Sequence, residues 1–73
     1  MTFLIRPGAR LQARAFATWR DAELLVQLRW DDFLAADRAS RGGAFAAYVA
    51  ALEAESAAAA ELAGEHADLA EAA

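Results

Sequence analysis

Between Leu11 and Asp37 large apolar side chains return at the interval of a helix. Phe16, Trp19, Val26, Trp30 and Phe33 follow one another at steps of three, four or seven residues, which puts them on one side of a 3.6-residue helix. Glu23 is the only charge inside that stripe. The helix is expected to start between Pro7, whose fixed φ and missing N–H suit a first helical position, and Arg10. Its pattern runs to about Ala39, roughly thirty residues or ~45 Å at ~1.5 Å per residue, which suits an elongated hairpin better than a small globule.

A second stripe follows at the same spacing: Phe45, Tyr48, Val49, Leu52, Ser56, Ala59, Leu62, Ala63, His66 and Leu69. The run Ala57 to Ala60 has high helix propensity and lets two helix axes approach closely, so it reads as packing surface. Between the stripes lies Ser40-Arg41-Gly42-Gly43. Two adjacent glycines cost a continuous helix roughly 2 kcal/mol relative to alanine, so the chain is expected to turn there, with Gly64 a second candidate break. The expected architecture is an all-α antiparallel hairpin forming one domain over residues 1–73. It has an N-terminal arm at 1–8, helix 1 at 9–39, a turn at 40–43 and helix 2 at 44–70. Thr2 to Ile5, closed by Arg6-Pro7-Gly8, would pack on a helix as an arm or pair with the same segment of another copy.

Folding about Gly42 sets residue i roughly opposite residue 84 − i. Trp30 would then face Ala50 and Ala54, Phe33 would face Ala51, and Val26 would face Ala58, large side chains meeting small ones. The intrachain seam is expected from Phe16, Trp19, Val26, Trp30 and Phe33 on helix 1. Phe45, Tyr48, Val49, Leu52, Ala59 and Leu62 would supply it on helix 2.

Composition enters because that seam is thin. Twenty-three of the 73 residues are alanine, and there is no cysteine to cross-link the fold. A small chain without disulfide or metal has self-association as its remaining support, and the sequence offers a surface for it. Around Leu24-Leu25-Val26-Gln27-Leu28 helix 1 is apolar nearly all round, Val26 pointing into the seam and the leucines away from it. The expectation is a homodimer, a four-helix bundle with Leu24, Leu25, Leu28, Arg20 and Asp32 at its interface. Crossed antiparallel, the two copies of helix 1 would bring Arg20 toward Asp32 and Arg14 toward Asp37.

Arg6, Arg10 and Arg14 stand at the start of helix 1, while Glu61, Glu65, Asp68 and Glu71 stand near the end of helix 2. The helix dipole disfavours both sets, so an antiparallel hairpin is expected to let them offset one another. The same arginines are a candidate anion or phosphate contact, which gives a second reading as a nucleic-acid-associated regulator. The net charge of −4 weighs against it.

Catalytic, cofactor and metal sites are not expected. His66 is the only histidine, and a bundle metal site of the Glu-x-x-His kind would need a glutamate where Ala63 stands. Asp31-Asp32 and the Glu53/Glu55 pair have no concave scaffold to desolvate them, and Ser40 and Ser56 have no histidine within reach. In outline the chain resembles small secreted helical hairpins with a Trp-x-Gly turn. Here the turn reads Arg41-Gly42-Gly43, and the acid of their Tyr-x-x-x-acid export signal is replaced by Leu52, so membership is not inferred.

No stretch is apolar for long enough to span a bilayer, and the opening Met1-Thr-Phe-Leu-Ile lacks the basic flank of a secretory signal. Arginine without lysine, together with abundant alanine, suggests a GC-rich bacterial coding sequence. The sequence-level expectation is a cytoplasmic, non-enzymatic helical protein-interaction module, an adaptor or small regulator acting as a homodimer on an unidentified protein partner.

Overall fold

The computed structural model describes residues 7–72, with side chains described for 10–67. Two helices account for nearly all of it: α1, Pro7–Ala35, and α2, Arg41–Ala72. They form an antiparallel hairpin. The expected arm at Thr2 to Ile5, the Arg6 contact and the side chains of Asp68, Leu69 and Glu71 lie outside the described residues.

α1 opens at Pro7, inside the expected window, but closes at Ala35, four residues before Ala39. The end is tightened by a short bond from the Ala36 N–H to the Phe33 carbonyl, 3.2 Å. Asp37 then starts the next element. Its carboxylate accepts the Ser40 N–H at 2.9 Å, and the Ser40 carbonyl accepts the Ala44 N–H at 2.9 Å, the first bond of α2. The turn is therefore centred on 38–40, not on 40–43.

Gly42 and Gly43 sit inside the first turn of α2, and among the described residues no glycine has a positive φ. The glycine pair does not end a helix. An aspartate cap recruits it into one, at some cost in backbone entropy. α2 likewise continues through Gly64, so the second candidate break is absent.

Moving the turn shifts the pairing. Trp30 meets Tyr48, Phe33 meets Phe45 and Gln12 meets His66, so residue i lies opposite 78 − i. The expected pairing of Trp30 and Phe33 with alanines is corrected to aromatic on aromatic. A turn centred three residues earlier moves every partner by six residues, ~9 Å and about 1.7 helical turns, so α2 meets α1 at a different level and through a different set of residues.

Among the described residues only Ala15, Val26, Ala51 and Ala58 are buried, at 4–7% exposure, and no large side chain is fully enclosed. Three of these four are alanines, the small residues that permit close helix approach. The hairpin is a slab one helix thick, 57 × 27 × 11 Å across its Cα atoms. Its accessible surface of 5784 Å² exceeds by about a third the roughly 4,400 Å² typical of a compact monomer of its 7.8 kDa mass.

Candidate interaction face

A slab of two helices has two broad faces and two edges, and the described aromatic side chains are gathered toward one broad face. Along α1, Gln12, Phe16, Trp19, Glu23 and Trp30 follow one helical row, and Leu34 returns over Phe16 after five turns of 3.6 residues. Along α2, Phe45, Leu52, Ala59 and His66 repeat every seven residues. Ring contacts tie the two rows together at the turn end. Trp30 lies 5.1 Å from Tyr48 and 5.5 Å from Phe33, and Phe45 lies 5.6 Å from Phe33 and 6.5 Å from Tyr48. At the open end Phe16 and Trp19 pair at 5.8 Å. All these pairs are tilted, the geometry aromatic quadrupoles favour.

This face stays open to water. Phe16 and Phe45 are each 50% exposed and Leu34 64%, with Trp30 and Leu52 also in the exposed class. Its two ends differ in relief. At the turn end the large side chains of Trp30, Leu34 and Phe45 are exposed as an apolar row, or ridge, with Leu52 about two turns further along α2. At the open end the helices enclose a cleft of about 470 Å³ lined by Phe16, Trp19, Ala59, Leu62 and Ala63, with Gln12 and His66 at its mouth. There the Gln12 Nε2 donates to His66 Nδ1 at 2.8 Å, a bond that uses the imidazole tautomer protonated on Nε2.

Of the expected seam, Val26 is buried and Trp19, Phe33, Tyr48, Val49, Ala59 and Leu62 are half-buried. Phe16, Trp30, Phe45 and Leu52 lie on the open face. Ala15, Ala51 and Ala58, which make the closest packing, escaped a reading that weighted bulk. The signal available for two of them was the seven-residue interval from Ala51 to Ala58.

The leucines expected at a dimer interface point away from the intrachain seam, as their spacing predicts. Leu24 and Leu28, 59% and 58% exposed, stand on the outer edge of α1, opposite Ala15 and Val26, and Leu25 turns toward the second broad face. Arg20 is exposed, and Asp32 is held by Arg29 at 3.1 Å, an exposed pair worth about 0–1 kcal/mol.

That pair is the only ion pair among the described residues, so the expected offset of Arg10 and Arg14 by Glu61 and Glu65 does not form there. Arg10 and Arg14 instead line an open depression with Leu11 and Ala13. At mid-seam the register sets Glu23 opposite Glu55, both half-buried, with no cation in ion-pair range among the described residues.

Asp37 has a distinct electrostatic setting. The Ser40 backbone N–H and then the Ser40 side chain stabilise its ionised form and hold it below the ordinary aspartate range, against an opposing desolvation and with a lesser contribution from the Ala39 backbone. Among the described residues no three of His, Cys, Asp and Glu converge as a metal-binding set. No described helix is long and apolar enough to cross a membrane. No protein-family model matches this chain, and no curated protein or solved structure is significantly similar to it.

Proposed function

We propose that the chain is a non-enzymatic helical interaction module that works as a homodimer in a four-helix arrangement, an adaptor or small regulator in the cytoplasm with a further protein as its partner. The observation carrying this reading is the imbalance between core and surface: among the described residues four small or medium ones are buried, while nine large apolar ones are exposed. Isolated patches that size on small soluble chains mark contact with another chain. A two-helix slab lacking disulfides gains most from an added apolar partner, and a second copy supplies one increasingly as the chain's concentration rises.

Circular dichroism melts at increasing protein concentration test this. Coupled folding and association raises the midpoint with concentration. A midpoint constant over a hundredfold range would count against the homodimer.

The second reading, a nucleic-acid-associated regulator, draws on Arg10 and Arg14 lining one open depression. It expects binding to a short duplex or single-stranded probe at low salt that falls steeply as salt rises and disappears in the Arg10→Glu, Arg14→Glu variant. Absence of binding at micromolar protein would remove it.

A further inference from the structure

We propose that a second copy of this chain covers the aromatic face with its ends reversed, its turn-end ridge lying over the open-end cleft of the first. This rests on the homodimeric reading and names its interface.

The first support is relief. One face carries both a ridge, with Phe45 at 50% and Leu34 at 64% exposure, and a cleft of about 470 Å³ walled by Ala59, Leu62 and Ala63. A two-fold axis running across the slab exchanges the ends, so each ridge meets a cleft, twice over. The spacing fixes where that axis passes. Phe45, Leu52 and Ala59 are separated by seven residues each. An axis beside Leu52 therefore brings Phe45 of either copy over Ala59 of the other and sets Leu52 next to its own mate. On α1, where Leu52 stands at the level of Val26, the same operation carries Trp30 to within about three residues of Trp19 and Leu34 to within about two of Phe16, apolar near apolar over the shared span.

Charge supports the same arrangement. Arg20 and Asp31 are both exposed on the rim of α1, eleven residues or about three turns apart on one side. Reversal about the level of Leu52 brings Arg20 of each copy to Asp31 of the other. The glutamates discriminate between arrangements. With both turns at one end, Glu23 and Glu55 of the two copies would meet as four half-buried carboxylates at one level, a repulsive cluster. Reversing the ends separates the two pairs by six residues, ~9 Å along the axis.

Area favours the face over the edge. An axis beside Leu52 overlaps the two copies over about 22 residues of α2, ~33 Å, and across the 27 Å width this projects to roughly 900 Å², against ~800 Å² per partner for a stable interface. The outer edge of α1 offers only Leu24 and Leu28 as large apolar groups.

The chain has no cysteine, so single-cysteine variants report the interface directly. Leu52→Cys, Leu24→Cys, Phe45→Cys and Ala59→Cys are made separately, checked for native helicity, and joined by mild oxidation or a short bis-thiol linker. Leu52→Cys is expected to form a covalent dimer at least about tenfold faster than Leu24→Cys, because the axis holds the two thiols at high effective concentration. Phe45→Cys and Ala59→Cys are each expected to stay uncoupled alone and to couple when mixed.

Rapid coupling of Leu24→Cys with Leu52→Cys silent would overturn the proposal and leave the homodimer standing on the edge leucines. Coupling of Phe45→Cys with Phe33→Cys instead of Ala59→Cys would show both turns at one end and overturn the reversed arrangement. No specific coupling in any variant, with a native mass of one chain, would overturn the proposal and the homodimer together.

Discussion

Trp30 of α1 packs against Tyr48 of α2 with ring centroids 5.1 Å apart and planes inclined by 49°. That contact fixes the level at which the helices meet, and Phe33 on Phe45 repeats it one turn nearer the chain reversal. Trp30→Ala removes the ring that touches both Tyr48 and Phe33. It is expected to cost about 2–3 kcal/mol, less than a fully buried tryptophan because this one is partly exposed. Chemical denaturation followed by circular dichroism measures it, and a change under about 0.5 kcal/mol would show the aromatic cluster to be incidental.

Asp37 links stability to pH. Its carboxyl is held below the ordinary aspartate range by Ser40 and Ala39, so the folded state favours the ionised form. The resulting stability is fully present above the unfolded-state value of about 3.9 and is lost as pH falls through the lower folded value. Asp37→Ala is expected to destabilise the native protein at neutral pH and to flatten the acid limb of its stability profile. Asp37→Asn is expected to retain more, since the amide oxygen still caps. Parallel acid limbs in wild type and Asp37→Ala would rule out this cap as their cause.

The glycines of α2 give a prediction of opposite sign. A Cβ built at Gly42, Gly43 or Gly64 meets nothing within 4 Å, and none of the three has a positive φ. Each change to alanine should therefore stabilise α2 by about 0.5–1 kcal/mol, and the three together by ~2 kcal/mol. Thermal melts at fixed protein concentration read the gain. A loss at Gly64 would mean that this position is covered by something the hairpin alone lacks.

Close approach of the helices depends on residues with almost no side chain. Ala51, 4% exposed, leaves no room for a branched group. Ala51→Leu is expected to cost about 1–3 kcal/mol by forcing the helices apart, whereas Ala50→Leu, one position away and exposed, should be near neutral. Equal effects at the two positions would place the seam elsewhere.

The hairpin itself was legible because two 3.6-residue stripes of ordinary length left no other way to bury Val26 and its neighbours. The turn was misplaced for a specific reason. Gly42-Gly43 is the stronger local signal, yet Asp37, with its bond to the Ser40 N–H, starts a helical turn before the glycines are reached. That three-residue error propagated into the register and gave Trp30 alanine partners where the fold gives it Tyr48.

The open face was hidden at sequence level because Phe16, Trp30, Phe45 and Leu52 belong to the same stripes as Val26. Only the hairpin geometry separates the part of a stripe that enters the seam from the part that flanks it. Leu24 and Leu28 stood out in the sequence by pointing the other way, although they are only two of the nine large apolar residues exposed among the described ones.

Sedimentation equilibrium on the native chain, with Leu52→Arg and with Leu24→Glu, Leu28→Glu as companions, tests most directly whether a second copy covers the aromatic face. Native protein and the edge variant are expected at twice the 7.8 kDa chain mass, and Leu52→Arg, which sets two like charges beside the axis, at the mass of one chain with reduced helicity. A native mass of 7.8 kDa from micromolar to millimolar concentration, with helicity intact, would contradict it.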